Sequence, residues 1–335
     1  MPRLARLDTP GIIHHVIIRG IERRNIFRDN KDRDDMIDRL SDLLPATNTD
    51  CYAWAFLPNH AHFLFRSGDA GLPTLMRRLL TGYAVTFNRR HRRHGQLFQN
   101  RYKSIICQED IYLKELVRYI HLNPLRAKIV PNVTGLNSYK YCGHATLMGK
   151  RKCNWQSDKY VLSCFEKSIL KGREEYYNYI KEGVDQGRRP ELVGGGLVRS
   201  LGGWAAVKKL RLTGQDRMKG DERILGDGDF VMDILSEANE RMDRRYELKS
   251  LGYDLDKLER RVLEIYRIKR EDLYSKSREK IRTEARGVFC YWAVRELGVA
   301  GARLARRFKI SEAGVSHAIK RGEKVVEEKN LRMLE

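Results

Sequence analysis

Two histidines, His60 and His62, stand one residue apart in the segment Leu57-Pro58-Asn59-His60-Ala61-His62-Phe63-Leu64. Residues 60–65 read as a strand, and the two-residue period of a strand points both imidazoles to one face, where they can share a metal ion. Further on, Tyr119 and Asn123 lie four apart in a stretch with helical spacing, so they share a helix face. Asparagine offers a carbonyl oxygen, a hard ligand for a divalent cation, and the phenol would then stand about one helical turn from that ion. A phosphodiester held there would meet a phenol oxygen placed for in-line attack. Taken singly, the same spacings also describe a surface H-x-H hairpin and a tyrosine packed on a sheet with an asparagine capping a helix before Pro124. Other tyrosines compete less well. Tyr112 has Leu116 at i+4, Tyr83 has Phe87, and Tyr102 falls on a strand; among these only Tyr119 carries an amide one turn on.

Between the two pairs, residues 77–108 hold eight basic side chains and no acid: Arg77, Arg78, Arg89, Arg90, Arg92, Arg93, Arg101 and Lys103. Tyr83, Phe87, Phe98 and Tyr102 interleave with them. Positive charge with aromatic faces suits a single nucleic-acid strand, whose phosphates track a basic groove while its bases stack. The whole chain, 335 residues with a formal charge of +21, asks for a polyanionic partner. Nucleic acid comes before an anionic membrane surface, because no apolar run approaches the ~18 residues of a span. The basic start Met1-Pro2-Arg3-Leu4-Ala5-Arg6 lacks the apolar core of a signal peptide. The six cysteines, at 51, 107, 142, 153, 164 and 290, form no C-x-x-C pair and read as reduced cytosolic residues, some in the core.

The elements that must position these groups follow from periodicity. Strands are expected over residues 11–20, 51–57, 60–65 and 96–107. Helices are expected over 31–44, 73–90 and 110–123, the last opened by Asp110 as N-cap and closed before Pro124. The order β-α-β-β-α-β-α predicts an α+β, ferredoxin-like antiparallel sheet with helices packed on it, as a catalytic domain over residues 1–130. Residues 131–230 read as a linker or accessory region. Its glycine clusters, Gly194-Gly195-Gly196, Gly202-Gly203 and Gly226-Asp227-Gly228, read as turns, since none continues into the Lys-Ser/Thr of a phosphate loop. Residues 231–335 return to helical spacing and read as an all-α domain with a helix-turn-helix near 302–322. Ala302–Phe308 forms its first helix, Lys309-Ile310 the turn, and Ser311 the N-cap of the next helix. On that helix Val315, Ala318 and Ile319 face inward and Ser316, His317 and Lys320 outward. Seven basic residues against two glutamates between 301 and 324 suit a duplex partner.

Three segments in order, Leu57–Leu64, Phe98-Gln99-Asn100-Arg101-Tyr102-Lys103 and Tyr119-Ile120-His121-Leu122-Asn123-Pro124-Leu125-Arg126-Ala127, resemble the single-strand HUH transposases with one tyrosine, and most of all the REP-associated tyrosine transposases of bacteria. A fainter likeness runs through Glu191–Leu197 and Asp221–Gly226. The resemblance implies a ferredoxin-like catalytic domain that nicks and rejoins single-stranded DNA of hairpin or palindromic repeats through a 5′-phosphotyrosine, freeing a 3′-OH. It implies Tyr119 as nucleophile and Mg or Mn held by His60, His62 and, one turn after the tyrosine, Asn123. It also implies a bacterial cytoplasmic, nucleoid-associated enzyme working as monomer or homodimer. Residues Glu284–Lys324 resemble the DNA-binding domain of the replication initiator DnaA, without that family's acidic-histidine contact motif. Two other function classes stay open: a domesticated DNA binder without catalysis, for which Tyr119, His60 and His62 would be superfluous, and an initiator-like nickase, for which there is no helicase or nucleotide motif.

Overall fold

The computed structural model describes residues 7–8, 10–99, 101–187, 189, 192, 221, 223–275, 277 and 279–334. The chain divides into two compact units, Met1–Ile234 and Leu235–Glu335.

The first unit is built on five strands: β1 (Ile13–Arg19), β2 (Asp50–Leu57), β3 (His60–Arg66), β4 (Lys103–Cys107) and β5 (Ile224–Leu225). Their order is β2-β3-β1-β4-β5. β1 lies antiparallel between β3 and β4, β2 is antiparallel to β3, and β5 joins β4 in parallel. The helix α1 (Asn30–Thr47) connects β1 to β2, and α2 (Leu72–Arg90) connects β3 to β4. The first four strands thus form the expected ferredoxin-like arrangement, with β5 added at the edge.

Both sheet faces are covered, and strand alternation sorts the side chains between them. Val16, Ile18, Phe56, Phe63 and Phe65 pack with Met36 and Leu40 of α1 and Leu75, Met76 and Leu79 of α2. Ala53, Ala55, Leu64 and Ile105 face the other way, against Leu113, Leu116, Val117 and Ile120 of α3 (Glu109–Arg126). His60 and His62 share the parity of Leu64 on β3 and therefore face α3.

Several boundaries move from their expected places. The strand β4 begins at Lys103; before it, a bridge pairs Phe98 with Gly20, and Gln99 donates to the Arg19 carbonyl at 2.9 Å. The helix α3 has Gln108, not Asp110, as its N-cap, and it continues past Pro124 to Arg126. The proline removes one backbone donor, yet Ala127 still donates to the Asn123 carbonyl at 2.8 Å, so the last turn closes around the ring. Residues 131–187, expected within a linker or accessory region, are folded: α4 (Val133–Ser138), α5 (His144–Leu147), α6 (Asp158–Ser163) and α7 (Ile169–Glu182) pack Leu136, Leu147, Val161, Leu162, Tyr176 and Ile180 into the core beneath α3. Short helices with sparse apolar positions leave little periodicity to read. A buried network fixes this layer. The Tyr176 hydroxyl lies 2.8 Å from His121 Nδ1 and 2.6 Å from His144 Nδ1, and His144 Nε2 lies 3.0 Å from Asn137 Oδ1. Of the glycine clusters, Gly194-Gly195-Gly196 and Gly202-Gly203 lie outside the described residues. Gly226-Asp227-Gly228 is a turn, with Asp227 accepting from the Phe230 amide at 2.9 Å as helix α8 (Gly228–Ser250) begins.

The second unit is helical: α9 (Leu255–Tyr266), α10 (Arg270–Tyr274), α11 (Lys280–Arg295), α12 (Gly301–Phe308) and α13 (Glu312–Lys329) close around Leu258, Val262, Phe289, Trp292, Leu304 and Phe308. α12 ends at Lys309, whose φ of 52° is left-handed, and Ser311 caps α13 by accepting from the Gly314 amide at 3.0 Å. Val315, Ala318 and Ile319 are buried, while His317 and Lys320 are exposed. No helix among the described residues is long and apolar enough to cross a membrane. Cys51, Cys107, Cys142 and Cys290 are buried thiols.

Burial holds His14 and His144 down to about 4, against an ordinary 6.5. Between those values the unfolded chain binds more protons than the folded one, so stability rises with pH and is lost as pH falls through that window. The melting midpoint of the full chain should decline steadily from about pH 6.5 towards pH 4, and His144→Gln should make the decline shallower. A midpoint flat across that range would mean these imidazoles are not held neutral.

Candidate active site

Cross-strand register assembles the site. Ile17 of β1 pairs with His62 and Arg19 with His60, which leaves His15 opposite Leu64 and diagonal to His62 on the face that α3 covers. His15 Nε2 lies 3.0 Å from His62 Nδ1, with the rings stacked at 5.2 Å. The Tyr119 ring meets both edge-on, 5.9 Å from His15 and 5.8 Å from His62, and the His60 ring stands 5.1 Å from His62. The structure thus brings His60, His62 and Tyr119 together and adds His15, which sequence spacing had not singled out. Asn123, one turn on from Tyr119, is buried, and its Nδ2 donates to the Tyr119 carbonyl at 3.1 Å. That bond leaves the amide oxygen Oδ1 to accept.

Hydrogen bonding settles the protonation of the imidazoles. His15 Nδ1 lies 3.0 Å from the Leu192 carbonyl oxygen, which can only accept, so Nδ1 carries the proton. Neutral His15 then accepts at Nε2, and His62 must donate from Nδ1. His60 Nδ1 lies 2.6 Å from Asn59 Oδ1, and Asn59 Nδ2 donates to the Arg23 carbonyl at 3.1 Å, so His60 donates from Nδ1 as well. Each ring of the H-x-H pair therefore keeps its Nε2 lone pair. Neutrality has a physical cause. Burial, aided by Arg19, holds His60 down to about 4. Burial, then His15, His60 and Arg19, holds His62 well below its ordinary range. Burial and Lys103 bring His15 to about 4, against the opposing pull of the Leu192 carbonyl. Among the described residues no group of three or more His, Cys, Asp or Glu is placed to hold a metal ion, so any third protein ligand would have to be of another type, such as the Asn123 amide.

The other tyrosines lie elsewhere. Tyr83 is buried among α1 and α2 and donates to the Ile26 carbonyl, and Tyr102 is buried in the same cluster. Tyr112 packs at the start of α3, near Cys107 and Asp227.

The basic run is a surface, though not the one expected. Arg77, Arg89, Arg92, Arg101 and Lys103 are exposed and Arg78 is half-buried. Arg90 is committed to Asp29 and Asp32, and Asp32 also contacts His91. Arg93 donates to Asn88 and to the carbonyls of Gly95 and Gln96. The interleaved aromatics are a correction to the base-stacking reading: Tyr83, Phe87, Phe98 and Tyr102 are 1%, 2%, 9% and 8% exposed, and so belong to the core. The i, i+4 spacing of Tyr83 and Phe87 is that of a core stripe. An open cleft of about 610 Å³ is lined by Arg24, Asn25, Arg28, Arg93 and Leu97. Its Arg24 and Arg28 lie outside the acid-free run and carried no sequence signal beyond their charge. In the second unit Ser316 donates back to the Glu312 carbonyl at 3.2 Å, while His317 and Lys320 face outward from α13.

The tautomers can be read directly. Imidazole ¹⁵N spectra near pH 7.5 should show His15, His60 and His62 all protonated at Nδ1. In His15→Phe the His62 signal should move towards a mixture of the two forms, because its fixed acceptor is gone. A His62 protonated at Nε2 in the unaltered chain would overturn the hydrogen-bond assignment.

Residues 9–123 match the model of the family described as "Transposase IS200 like". None of the curated proteins compared with the chain matches it. A solved structure of a REP-associated tyrosine transposase bound to a REP hairpin is similar at 16% identity, covering 47% of this chain and 92% of that one, with a TM-score of 0.37. The similarity to the IS200-like transposases thus spans the part of the chain that holds the strands β1 to β4 and most of α3.

Proposed function

We propose, from the premise that residues 9–123 are an IS200-like transposase domain, that the chain cuts and rejoins single-stranded DNA with Tyr119 as nucleophile, forming a 5′-phosphotyrosine and freeing a 3′-OH. The observation that carries the reading is the Tyr119 ring set 5.8 Å from His62, beside two imidazoles whose Nε2 lone pairs are uncommitted.

A divalent ion, Mg or Mn, fits the donor set. Neutral imidazoles are the form that ligates, and partners at Nδ1 orient them as second-shell groups orient metal ligands. His60 Nε2, His62 Nε2 and Asn123 Oδ1 would hold the ion, which when bound offsets charge developing on the scissile phosphate. The protein's own part is positional. α3 holds the phenol over the strand face, His15 keeps the His62 ring turned, and the packed core on both sides of the sheet prevents either from drifting. Arg19, Lys103 and Arg126 make the surroundings positive, which favours an anionic substrate.

The exposed Arg77, Arg89, Arg92, Arg101 and Lys103, with the Arg24–Arg28–Arg93 cleft, supply phosphate contacts for a single strand. Since the aromatics beneath are buried, this binding is electrostatic and falls steeply with salt. Hairpin or palindromic repeat DNA is the target class implied by the motif resemblance. In the second unit, α13 presents His317 and Lys320 from a capped helix after a short turn, which supports a helix-turn-helix reading duplex DNA in its major groove. A binder without catalysis is disfavoured by the intact arrangement of Tyr119, His60 and His62.

Incubated with single-stranded DNA from the flanks of its own gene and Mg, the chain should form a covalent adduct. Tyr119→Phe should abolish the adduct while strand affinity changes by less than about 1 kcal/mol, because only the attacking oxygen is lost. Adducts that persist in Tyr119→Phe, and vanish in Tyr102→Phe or Tyr112→Phe, would identify another nucleophile. His60→Ala and His62→Ala should each lower Mn affinity in calorimetry; unchanged affinity in both would refute the ligand set. Lys320→Ala should weaken duplex binding and leave the adduct yield alone. If duplex and single-strand affinity fall together in that variant, the helix is only a general basic surface.

A further inference from the structure

Arg126 carries a charge that the fold leaves unanswered. It lies seven residues after Tyr119 and three after Asn123, on the same stripe of α3. Its guanidinium is half-buried and sits 5.3 Å over the Tyr119 ring. Two weak contacts, each 3.5 Å, reach the backbone oxygens of Tyr119 and Gly183, and its buried Nε has no hydrogen-bond partner. Among the described residues no carboxylate pairs with it. Its charged neighbours are two further arginines, Arg118 and Arg189, and both of these are ion-paired to Glu115. Burial and those neighbours draw Arg126 below its ordinary range, with burial the larger cause.

A guanidinium does not shed its proton in a protein, so a half-buried one without an anion is costly unless an anion arrives. Its planar fork matches two oxygens of a phosphate. We propose that Arg126 is the phosphate-holding residue of this site: it takes the non-bridging oxygens of the DNA phosphate that Tyr119 attacks and keeps them in the phosphotyrosine. The proposal rests on the reading of Tyr119 as nucleophile. In the step it serves, the bond from the phenol oxygen to phosphorus forms and the bond from phosphorus to the 3′-oxygen breaks. The phenol proton is lost to solvent and the departing 3′-oxygen takes one up. The phosphate remains a singly charged diester throughout, so one guanidinium can hold it before and after attack without a change of partner. Rejoining reverses the same step on the same held phosphate.

The test uses the full chain and a mixed-sequence pool of single-stranded 30-mers with Mg. Arg126→Gln should slow covalent adduct formation on the order of a hundredfold, as loss of one transition-state donor does, while pool affinity and melting midpoint stay near those of Lys150→Gln, an exposed-charge control. Arg126→Lys, which keeps the charge and loses the fork, should recover part of the rate. Equilibrium dialysis with labelled inorganic phosphate needs no cleavage: Arg126→Gln should bind about one equivalent less than the unaltered chain, and Lys150→Gln should not. The proposal is overturned if adduct rate and phosphate binding in Arg126→Gln match the control. It is also overturned if rate, pool affinity and melting midpoint fall together, which marks a structural role. Should the unaltered chain form no adduct with the pool or with single strands from the flanks of its own gene, the nucleophile reading fails by itself, and the dialysis result still decides whether Arg126 holds phosphate.

Discussion

The hydrogen bond between His15 Nε2 and His62 Nδ1 is the contact on which the rest of the site turns. It joins two strands and exists only because β1 and β3 pair in one register; a slip of one residue would send His15 to the opposite face. A neutral bond of this kind contributes only about 0.5–1.5 kcal/mol net, but leaving either buried nitrogen unmatched costs about 1–3 kcal/mol. The bond therefore acts less as a source of stability than as a penalty on every other ring orientation. The Leu192 carbonyl fixes one end of the relay, and the other end is an oriented lone pair on His62.

The same burial that makes the relay selective keeps the site free of competing charge. Three imidazoles crowded together would repel one another if protonated, and desolvation together with Arg19 and Lys103 pushes each towards neutrality. The fixed positive charge is left to arginine and lysine, which do not lose it near neutral pH. Division of labour follows: imidazoles offer lone pairs and guanidinium groups offer charge. A site of that composition attracts an anion without already containing one. The acid on α3, Glu115, does not spoil it, being taken up by Arg118, Arg189 and Tyr179.

Much of this was legible in residue order because the informative spacings are local. H-x-H on a strand and Tyr-x-x-x-Asn on a helix each declare a shared face, and the β-α-β-β-α-β order is enough to bring those faces together in a ferredoxin-like sheet. His15 escaped notice for a definite reason. The adjacent pair His14-His15 sits on a strand, so one of the two had to face His60 and His62, but which one depends on a register set 47 residues away. Arg126 carried a local signal, the third position of the Tyr119–Asn123 stripe, although its lack of a carboxylate partner becomes visible only in three dimensions. That Arg90 of the basic run is ion-paired is not legible locally, because its acids lie 58 and 61 residues earlier. The aromatics were misassigned because interleaving with arginines along the chain says nothing about which face each side chain takes; helical spacing would have put Tyr83 and Phe87 in the core.

The second unit reaches a comparable result by a different device. Its outward residues, His317 and Lys320, are useful only if the helix beneath them is held, and here the holding is done by backbone contact. A Cβ on Gly322 would lie 2.1 Å from the Gly287 carbonyl oxygen, and one on Gly287 would lie 3.1 Å from the Gly322 amide nitrogen, so α11 and α13 cross with no side chain between them. Such a crossing leaves no room for either helix to roll, since rolling would drive a neighbouring side chain into the facing backbone. The Ser311 cap fixes where α13 begins, and Lys329 meets Glu284 near its end. The surface positions between cap and ion pair are then free to vary in identity without disturbing the fold. In the first unit the imidazoles of His15, His60 and His62 are instead oriented by hydrogen-bond partners within the protein. That difference accounts for where sequence reasoning was weakest: surface positions on a rigid helix can be read from period alone, whereas the partners of buried polar groups depend on the whole sheet.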